Sequence, residues 1–228
     1  KVRMFGTIVN TILIILGTLI GTVLKKGIKE QYQTALFNAM GFAAVALGVN
    51  AVVQNMPNST YPVLFIMSLA IGSFIGAALD LNGKFNTLVG RFGNSNLSKG
   101  LSTAILLFCV GTLSILGPIE SALNNNHTYL LTNATLDFVT SMALAATYGI
   151  GIMFAAVVLF VWQGGIYLLA GYLEPFLTES LMAEVSIVGG VLILASGLSI
   201  LGIKDSKTLN MLPALFVPVV WFFIISFL

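Results

Sequence analysis

The residues best suited to chemistry form a short polar group inside a long apolar stretch, residues 134–173. Asp137, Thr140 and Ser141 are spaced i, i+3 and i+4, so a helix would present a carboxylate and two hydroxyls on one face. A carboxylate in hydrocarbon is costly unless it is paired, protonated or in contact with water, which indicates a substrate, ion or proton site. The alternative is that Asp137, close to the start of its helix, only caps that helix or makes structural hydrogen bonds.

Two further acids lie near the same expected membrane boundary. Glu120 follows Pro118, and Glu184 lies early in a later apolar segment. Three acids converging there would hold a cation through oxygen ligands, although the sequence leaves the identity of any metal unknown. In the alternative interpretation, Glu120 and Glu184 favour helix starts or solvate a loop.

Three amides lie in apolar runs. Gln163 is deep in its segment beside two glycines, and Asn10 and Asn38 lie in the first two segments. Such amides either bond between helices or line a polar path through the protein. The two interpretations are balanced for Gln163, whereas helix-to-helix bonding is favoured for Asn10 and Asn38.

The sequence contains none of the common catalytic or cofactor motifs. It has no GxSxG, HExxH or phosphate loop, and its single cysteine, Cys109, and single histidine, His127, exclude a Cys- or His-rich metal cluster. We therefore expect no enzyme activity and no cofactor.

Composition determines the class of protein. Hydrophobic residues make up 57% of the chain and charged residues only 8%, with a mean hydropathy of +1.01. A soluble domain has about 25% charged residues, so we expect one all-α transmembrane domain over residues 1–228, with the lipid bilayer as its partner. The net charge of +2 is too small to indicate nucleic-acid binding.

The apolar segments predict eight membrane spans. The stretch 134–173 is too long for one crossing of about 20 residues, and we expect a turn at Gly149-Ile150-Gly151. One overlong tilted helix there would reduce the number to seven. The expected segments are residues 5–24, 35–53, 62–81, 101–118, the two halves of 134–173, 182–203 and 210–228.

The distribution of lysine and arginine favours eight spans with both chain ends outside. Basic residues then cluster in cytoplasmic links, and the three larger external loops contain none. With seven spans, Lys204 and Lys207 would lie outside. Lys1 and Arg3 are the exceptions, because they would lie outside in the eight-span orientation. The cytoplasmic residues would be Lys25, Lys26, Lys29, Lys84, Arg91, Lys99, Lys204 and Lys207.

A weak internal repeat relates the two ends of the chain. The third segment opens PVLF at Pro62 and the eighth opens PALF at Pro213, and the preceding segments align with similar glycine spacing. Segments one to three and six to eight would then form an inverted repeat, as in many secondary transporters. Apolar segments also resemble one another by coincidence.

Several ordered motifs resemble one bacterial family. They are LDFVTS and YGIG within residues 136–151, WQG at 162–164, FCVGTLSILGPIE at 108–120 and NMLPAL at 210–215. Over nearly the whole chain they are similar to the YqgA-like membrane proteins, domain of unknown function 554. The resemblance implies a multi-pass protein of the bacterial cytoplasmic (inner) membrane and no established activity. Many relatives have an acidic residue where this chain has Ala77, so an ion site at that position is not expected here.

These observations predict a transporter of a small solute or ion, coupled to a cation or a proton. Inward-facing polar groups of segments one, five, six and seven would form its site. The alternatives are a narrow channel, for which the spans hold few polar residues, and a non-transporting sensor or assembly component. Glycine pairs at Gly17 and Gly21 and at Gly72 and Gly76 predict close helix packing and weakly favour a homo-oligomer.

Overall fold

The computed structural model describes residues 4–26, 30–90, 95–110 and 112–226, and every regular element in those residues is a helix. Lys1, Arg3, Lys29 and Arg91, which enter the topology prediction, lie outside them. The α-helices are α1 (Phe5–Lys26), α2 (Glu30–Asn55), α3 (Leu64–Ala78), α4 (Leu81–Gly90), α5 (Ser95–Val110), α6 (Thr112–Leu123), α7 (Thr128–Tyr148), α8 (Phe154–Leu173), α9 (Glu179–Ile200) and α10 (Phe216–Ile225). Short 3-10 helices cover Met56–Asn58, Ile150–Met153, Glu174–Phe176 and Thr208–Leu215.

The length and composition of these helices confirm an all-α membrane fold. Four stretches among the described residues are long and apolar enough to cross a bilayer: Phe5–Lys25, Ile150–Phe176, Glu179–Ile200 and Thr208–Ile225. The bent pairs α3–α4, at 56°, and α5–α6, at 45°, raise the number to six if each pair is one span. By helix length and composition, the described residues therefore contain four to six candidate membrane spans.

The long apolar stretch breaks at a single glycine. α7 ends at Tyr148, Gly149 has φ 91° and ψ −170°, and α8 begins at Phe154 after a 3-10 turn. Residues with a β-carbon rarely adopt that backbone conformation, so the glycine permits the break. The predicted interruption at this position is confirmed, and α7 and α8 are separate helices.

The helices group into two compact units, and each unit combines early and late parts of the chain. The first unit contains Lys1–Met40 and Lys99–Glu174, and the second contains Gly41–Ser98 and Pro175–Leu228. The expectation of one transmembrane domain over residues 1–228 stays a prediction.

In the first unit, α1 and α7 pack side by side and run in the same direction. Gly6 near the start of α1 lies against Leu130 near the start of α7, and the Lys25 Nζ donates to the Thr147 carbonyl oxygen at 2.9 Å near both ends. Between these contacts, Gly17 brings the two helices so close that a β-carbon there would collide with α7. Small residues in α1 therefore permit the close parallel contact.

In the second unit, α2 and α9 run in opposite directions. Gly41 of α2 lies against Gly197 of α9, whereas Gly48, two turns later in α2, lies against Gly190, two turns earlier in α9. A β-carbon on Gly48 would lie 2.6 Å from the Gly190 carbonyl oxygen. Glycines on both helices therefore permit an antiparallel contact between backbones.

The same unit holds a second antiparallel contact, between α3 and the 3-10 helix Thr208–Leu215. Gly72 lies against Ala214, and Gly76, one turn later, lies against Asn210. The backbone of the 3-10 helix reaches α3 because both contact positions on α3 lack a side chain.

Candidate functional site

Asp137 lies on the face of α7 that packs against α1. Only 4% of Asp137 is exposed, so its carboxylate is sheltered within the protein. The buried residues of α7 recur at intervals of three and four, which is the spacing of one helix face. They include Leu130, Asn133, Ala134, Asp137, Ser141 and Leu144.

Two side-chain amides donate hydrogen bonds to the same carboxylate oxygen. The Asn10 Nδ2 of α1 lies 2.9 Å from the Asp137 Oδ2, and the Asn133 Nδ2 of α7 lies 2.8 Å from it. All three side chains are buried, so these bonds act where the surroundings screen charge poorly. No donor among the residues that the structure describes reaches the Asp137 Oδ1. One oxygen is therefore held in place and the other keeps its lone pairs.

This arrangement combines two predicted site residues with one that the sequence analysis does not assign. Asn133 lies four residues before Asp137, a spacing that places both on one helix face and could have identified it. Thr140 is half-buried, and the buried Ser141 donates its hydroxyl to the Phe138 carbonyl oxygen at 2.9 Å. Amides, rather than hydroxyls, hold the carboxylate.

Gln163 makes a second buried polar contact in the first unit. Its Nε2 lies 3.1 Å from the Ser114 Oγ of α6, and both side chains are fully buried. Within the described part of the chain, the Gln163 Oε1 has no hydrogen-bond partner. A neighbouring position, Gly164, lies against Met4 beside the start of α1. α8 therefore presents an unpaired carbonyl oxygen in the same unit as Asp137.

Other buried oxygens of this unit also lack partners among the described residues. They are the Thr7 Oγ1, the Asn10 Oδ1 and the Thr18 Oγ1, all on α1. A buried polar atom without a hydrogen bond costs about 1–3 kcal/mol. Thr7 and Thr18 are not among the predicted site residues, although their spacing from Asn10 puts them near the same face of α1.

Glu184 belongs to the second unit and is fully buried in α9. Its Oε1 accepts hydrogen bonds from the Ser59 Oγ at 2.7 Å and from the Tyr61 backbone N–H at 2.8 Å. Its Oε2 is buried and has no partner in the described ranges. The second unit thus contains a sheltered carboxyl of its own.

The remaining predicted site residues are closer to the surface. Glu120 is half-buried and accepts a hydrogen bond from the Asn124 Nδ2 at 3.0 Å, and Asn38 is exposed on α2. Among the described residues, no three His, Cys, Asp or Glu side chains come together in a way that could hold a metal ion. The predicted site of three converging acids is therefore not formed there.

Comparisons with known proteins agree with this membrane fold. The chain matches the family described as "Protein of unknown function (DUF554)" over residues 5–223. It is 60% identical over 222 residues to "Uncharacterized membrane protein YdfK" of Bacillus subtilis (strain 168), covering 97% of each chain. It is 29% identical over 223 residues to "Uncharacterized protein YqgA" of Escherichia coli (strain K12), covering 92% of each. No solved structure matches it. The chain belongs to the DUF554 family of membrane proteins.

Proposed function

We propose that this protein transports a small solute or ion across the bacterial cytoplasmic membrane, with Asp137 at its binding site. The observation that carries the proposal is a buried carboxylate, Asp137, in the same unit as two buried amide oxygens that have no hydrogen-bond donor among the described residues. These oxygens are the Asn10 Oδ1, on a side chain bonded to Asp137, and the Gln163 Oε1. Each unpaired acceptor costs about 1–3 kcal/mol. A cation, a proton or a donor group of a solute would supply what they lack.

The chemistry follows from the type of atoms present. Carboxylate and amide oxygens bind hard cations and accept N–H or O–H donors. Asn10 and Asn133 fix the orientation of the Asp137 carboxylate, and its Oδ1 binds the cation or carries the coupling proton. The Gln163 Oε1 and the Asn10 Oδ1 provide neutral ligands. Ser141 is engaged within its own helix, so we assign it a packing role, and the half-buried Thr140 remains a candidate ligand.

The proposed topology has eight spans, because α2 and α7 are added to the six spans that length and composition provide. α7 contains polar residues that reduce its hydropathy, but the buried Asn133, Asp137 and Ser141 lie on the face towards α1, and the two helices are parallel over their length. A helix in that position crosses the membrane together with α1. Parallel α1 and α7 require an odd number of crossings between them, which α2, α3–α4 and α5–α6 provide.

The antiparallel contacts of the second unit support eight spans over seven. If α7 and α8 formed one crossing, three crossings would separate α2 from α9, and these two helices would run in the same direction. The glycine contacts between α2 and α9 are instead those of antiparallel helices. The contact between α3 and Thr208–Leu215 is also antiparallel, as an inverted repeat of segments one to three and six to eight requires.

One observation favours a second candidate, a non-transporting sensor or assembly component. Asp137 already has two amide partners, so the three side chains are also able to act as a packing network between α1 and α7. This candidate predicts that no ion or solute binds near Asp137.

Ligand-dependent stability of the purified chain separates the two candidates. A ligand that binds only the folded protein raises the melting temperature. At a concentration of about 100 times its Kd, it adds about 2.7 kcal/mol to the free energy of unfolding. We would screen alkali and divalent cations and small metabolites, and then measure uptake of any ligand into proteoliposomes. Asp137→Asn should abolish both effects, and Asp205→Asn, at an exposed acid, should abolish neither. An unchanged melting shift in Asp137→Asn would refute the assigned site, and a shift without uptake would favour the sensor.

A further inference from the structure

Glu184 is a buried acid that the proposed site does not use. The Glu184 side chain is 0% exposed, and both donors it meets, from Ser59 and Tyr61, bind its Oε1. Its Oε2 is buried and unpartnered within the described residues. If Glu184 ionises, its negative charge is therefore stabilised by hydrogen bonds at Oε1 only.

Among the described residues of the second unit, no basic side chain lies on an element that packs closely against α9. These elements are Met56–Asn58, α3, Thr208–Leu215, α10 and the part of α2 that follows Gly41. None of these contains Asp, Glu, Lys, Arg or His. Tyr61 is the titratable residue beside the carboxyl, and Glu179, five residues earlier in α9, is exposed. Lys204 and Lys207 follow the far end of α9, and Glu184 forms no ion pair with any described residue.

A proton fits this site better than a metal ion does. A buried unpaired charge is expensive, so a positive charge from solution would stabilise the ionised carboxyl at this position. Metal ions require several oxygen ligands, whereas the described residues offer one free carboxyl oxygen here. A proton needs only that oxygen.

We propose that Glu184 is a proton-binding site that carries its proton on Oε2, and that its ionised form holds residues 59–61 in place. The inference is independent of the proposed transport function, because it uses no residue of the Asp137 site. Proton uptake converts a carboxylate to a neutral acid, and proton release returns the carboxylate and one proton to solution.

The two hydrogen bonds to Oε1 couple this proton to the connection between α2 and α3. A hydrogen bond to an ionised acceptor is roughly twice as strong as one to a neutral acceptor, so protonation weakens the hold on Ser59 and Tyr61. The Tyr61 ring also lies edge-on against Trp221 and Phe222, with centroids 6.0 and 5.7 Å away. Release of residues 59–61 therefore also loosens a contact with α10.

Infrared spectroscopy of the full chain in lipid nanodiscs tests the proton site. The carbonyl stretch of a protonated carboxyl should appear as the pH falls in the wild-type protein. Glu184→Gln should remove one such band, which Glu179→Gln and Asp137→Asn should both retain. Identical titrating bands in the wild type and Glu184→Gln would overturn the proton site, whatever happens to transport.

Hydrogen exchange of the Tyr61 amide tests the coupling, after correction for the intrinsic exchange rate at each pH. Protection should fall about three- to tenfold on acidification of the wild type, because the bond to a neutral carboxyl is roughly half as strong as the bond to a carboxylate. Glu184→Gln should show low protection at every pH, and Glu179→Gln should behave as the wild type. Ser59→Ala keeps the carboxyl and its bond from the Tyr61 N–H, so protection should still fall on acidification, which retains a test if Glu184→Gln does not fold. Protection independent of pH in the wild type would overturn the coupling.

Discussion

Asn10 and Asp137 lie 127 residues apart in the sequence, yet the Asn10 Nδ2 and the Asp137 Oδ2 are 2.9 Å apart across the parallel pair α1 and α7. The bond joins the first helix of the chain to a helix in its second half. The site therefore depends on the register of two helices that are remote in sequence.

Loss of the Asn10 amide should destabilise the protein. Asn10→Ala leaves the Asp137 carboxylate with one donor, Asn133, and should lower the free energy of unfolding by about 1–3 kcal/mol. The control is Asn38→Ala, an equivalent change at an exposed position, with an expected effect within about 0.5 kcal/mol. Denaturant titration in detergent micelles measures both, and equal effects would contradict a role for the bond.

The close contact of α1 with α7 should not tolerate a methyl group. In Gly21→Ala, the new β-carbon would collide with the Met142 carbonyl oxygen, and relief of that overlap should cost about 1–3 kcal/mol. Gly171→Ala, on α8, is the matched control, because its β-carbon would meet no atom within 4 Å. The melting temperature should fall in Gly21→Ala and rise in Gly171→Ala. The rise is expected because alanine is about 0.5–1 kcal/mol more stable than glycine at an open helical position.

The break between α7 and α8 should depend on the backbone of Gly149. Its φ of 91° is unfavourable for alanine, so Gly149→Ala should cost about 1–3 kcal/mol. Steric conflict contributes little, because the nearest atom to the new β-carbon is the Lys25 Nζ at 3.5 Å. Gly165→Ala, in open space within α8, provides the comparison. Equal melting temperatures would show that α7 and α8 can be joined without strain.

The eight-span proposal predicts the side on which each link lies. In a Cys109→Ala background, Glu179→Cys should react with a membrane-impermeant thiol reagent on intact cells, and Lys204→Cys should react only after permeabilisation. Asn125→Cys is external in both topologies and calibrates labelling. All three positions are exposed. Seven spans predict the reverse pattern for Glu179→Cys and Lys204→Cys.

The sequence predicts the helical elements well, because hydrophobic runs and glycine conformation are local properties. The first segment, expected over residues 5–24, is α1 at Phe5–Lys26, and the interruption expected at Gly149 is present. The fourth segment differs: the apolar run predicts one segment over residues 101–118, but the structure has α5 and α6, which meet at 45°. A run of apolar residues reports length but not a bend between two helices.

The partners within the site could not be predicted, because they depend on which helices become neighbours. The sequence identifies Asp137 and Asn10 as polar residues in apolar segments, but their contact requires the parallel register of α1 and α7. Ser59 and the Tyr61 amide, which bind Glu184, lie in a connection with no sequence signal for that role. Only Asn133, at four residues from Asp137, had a local signal.

The parallel pairing of α1 with α7 has a consequence for biosynthesis. α1 ends at Lys26 and α7 begins at Thr128, so a ribosome adding about 5–20 residues per second makes α7 roughly 5–20 s after α1. During that interval the glycines of nascent α1 and the Asn10 amide lack their contacts with α7, while α1 lies in lipid or in the insertion machinery. The first unit is thus completed late in translation, and nascent chains that stop before Thr128 should be targets for membrane quality-control proteases.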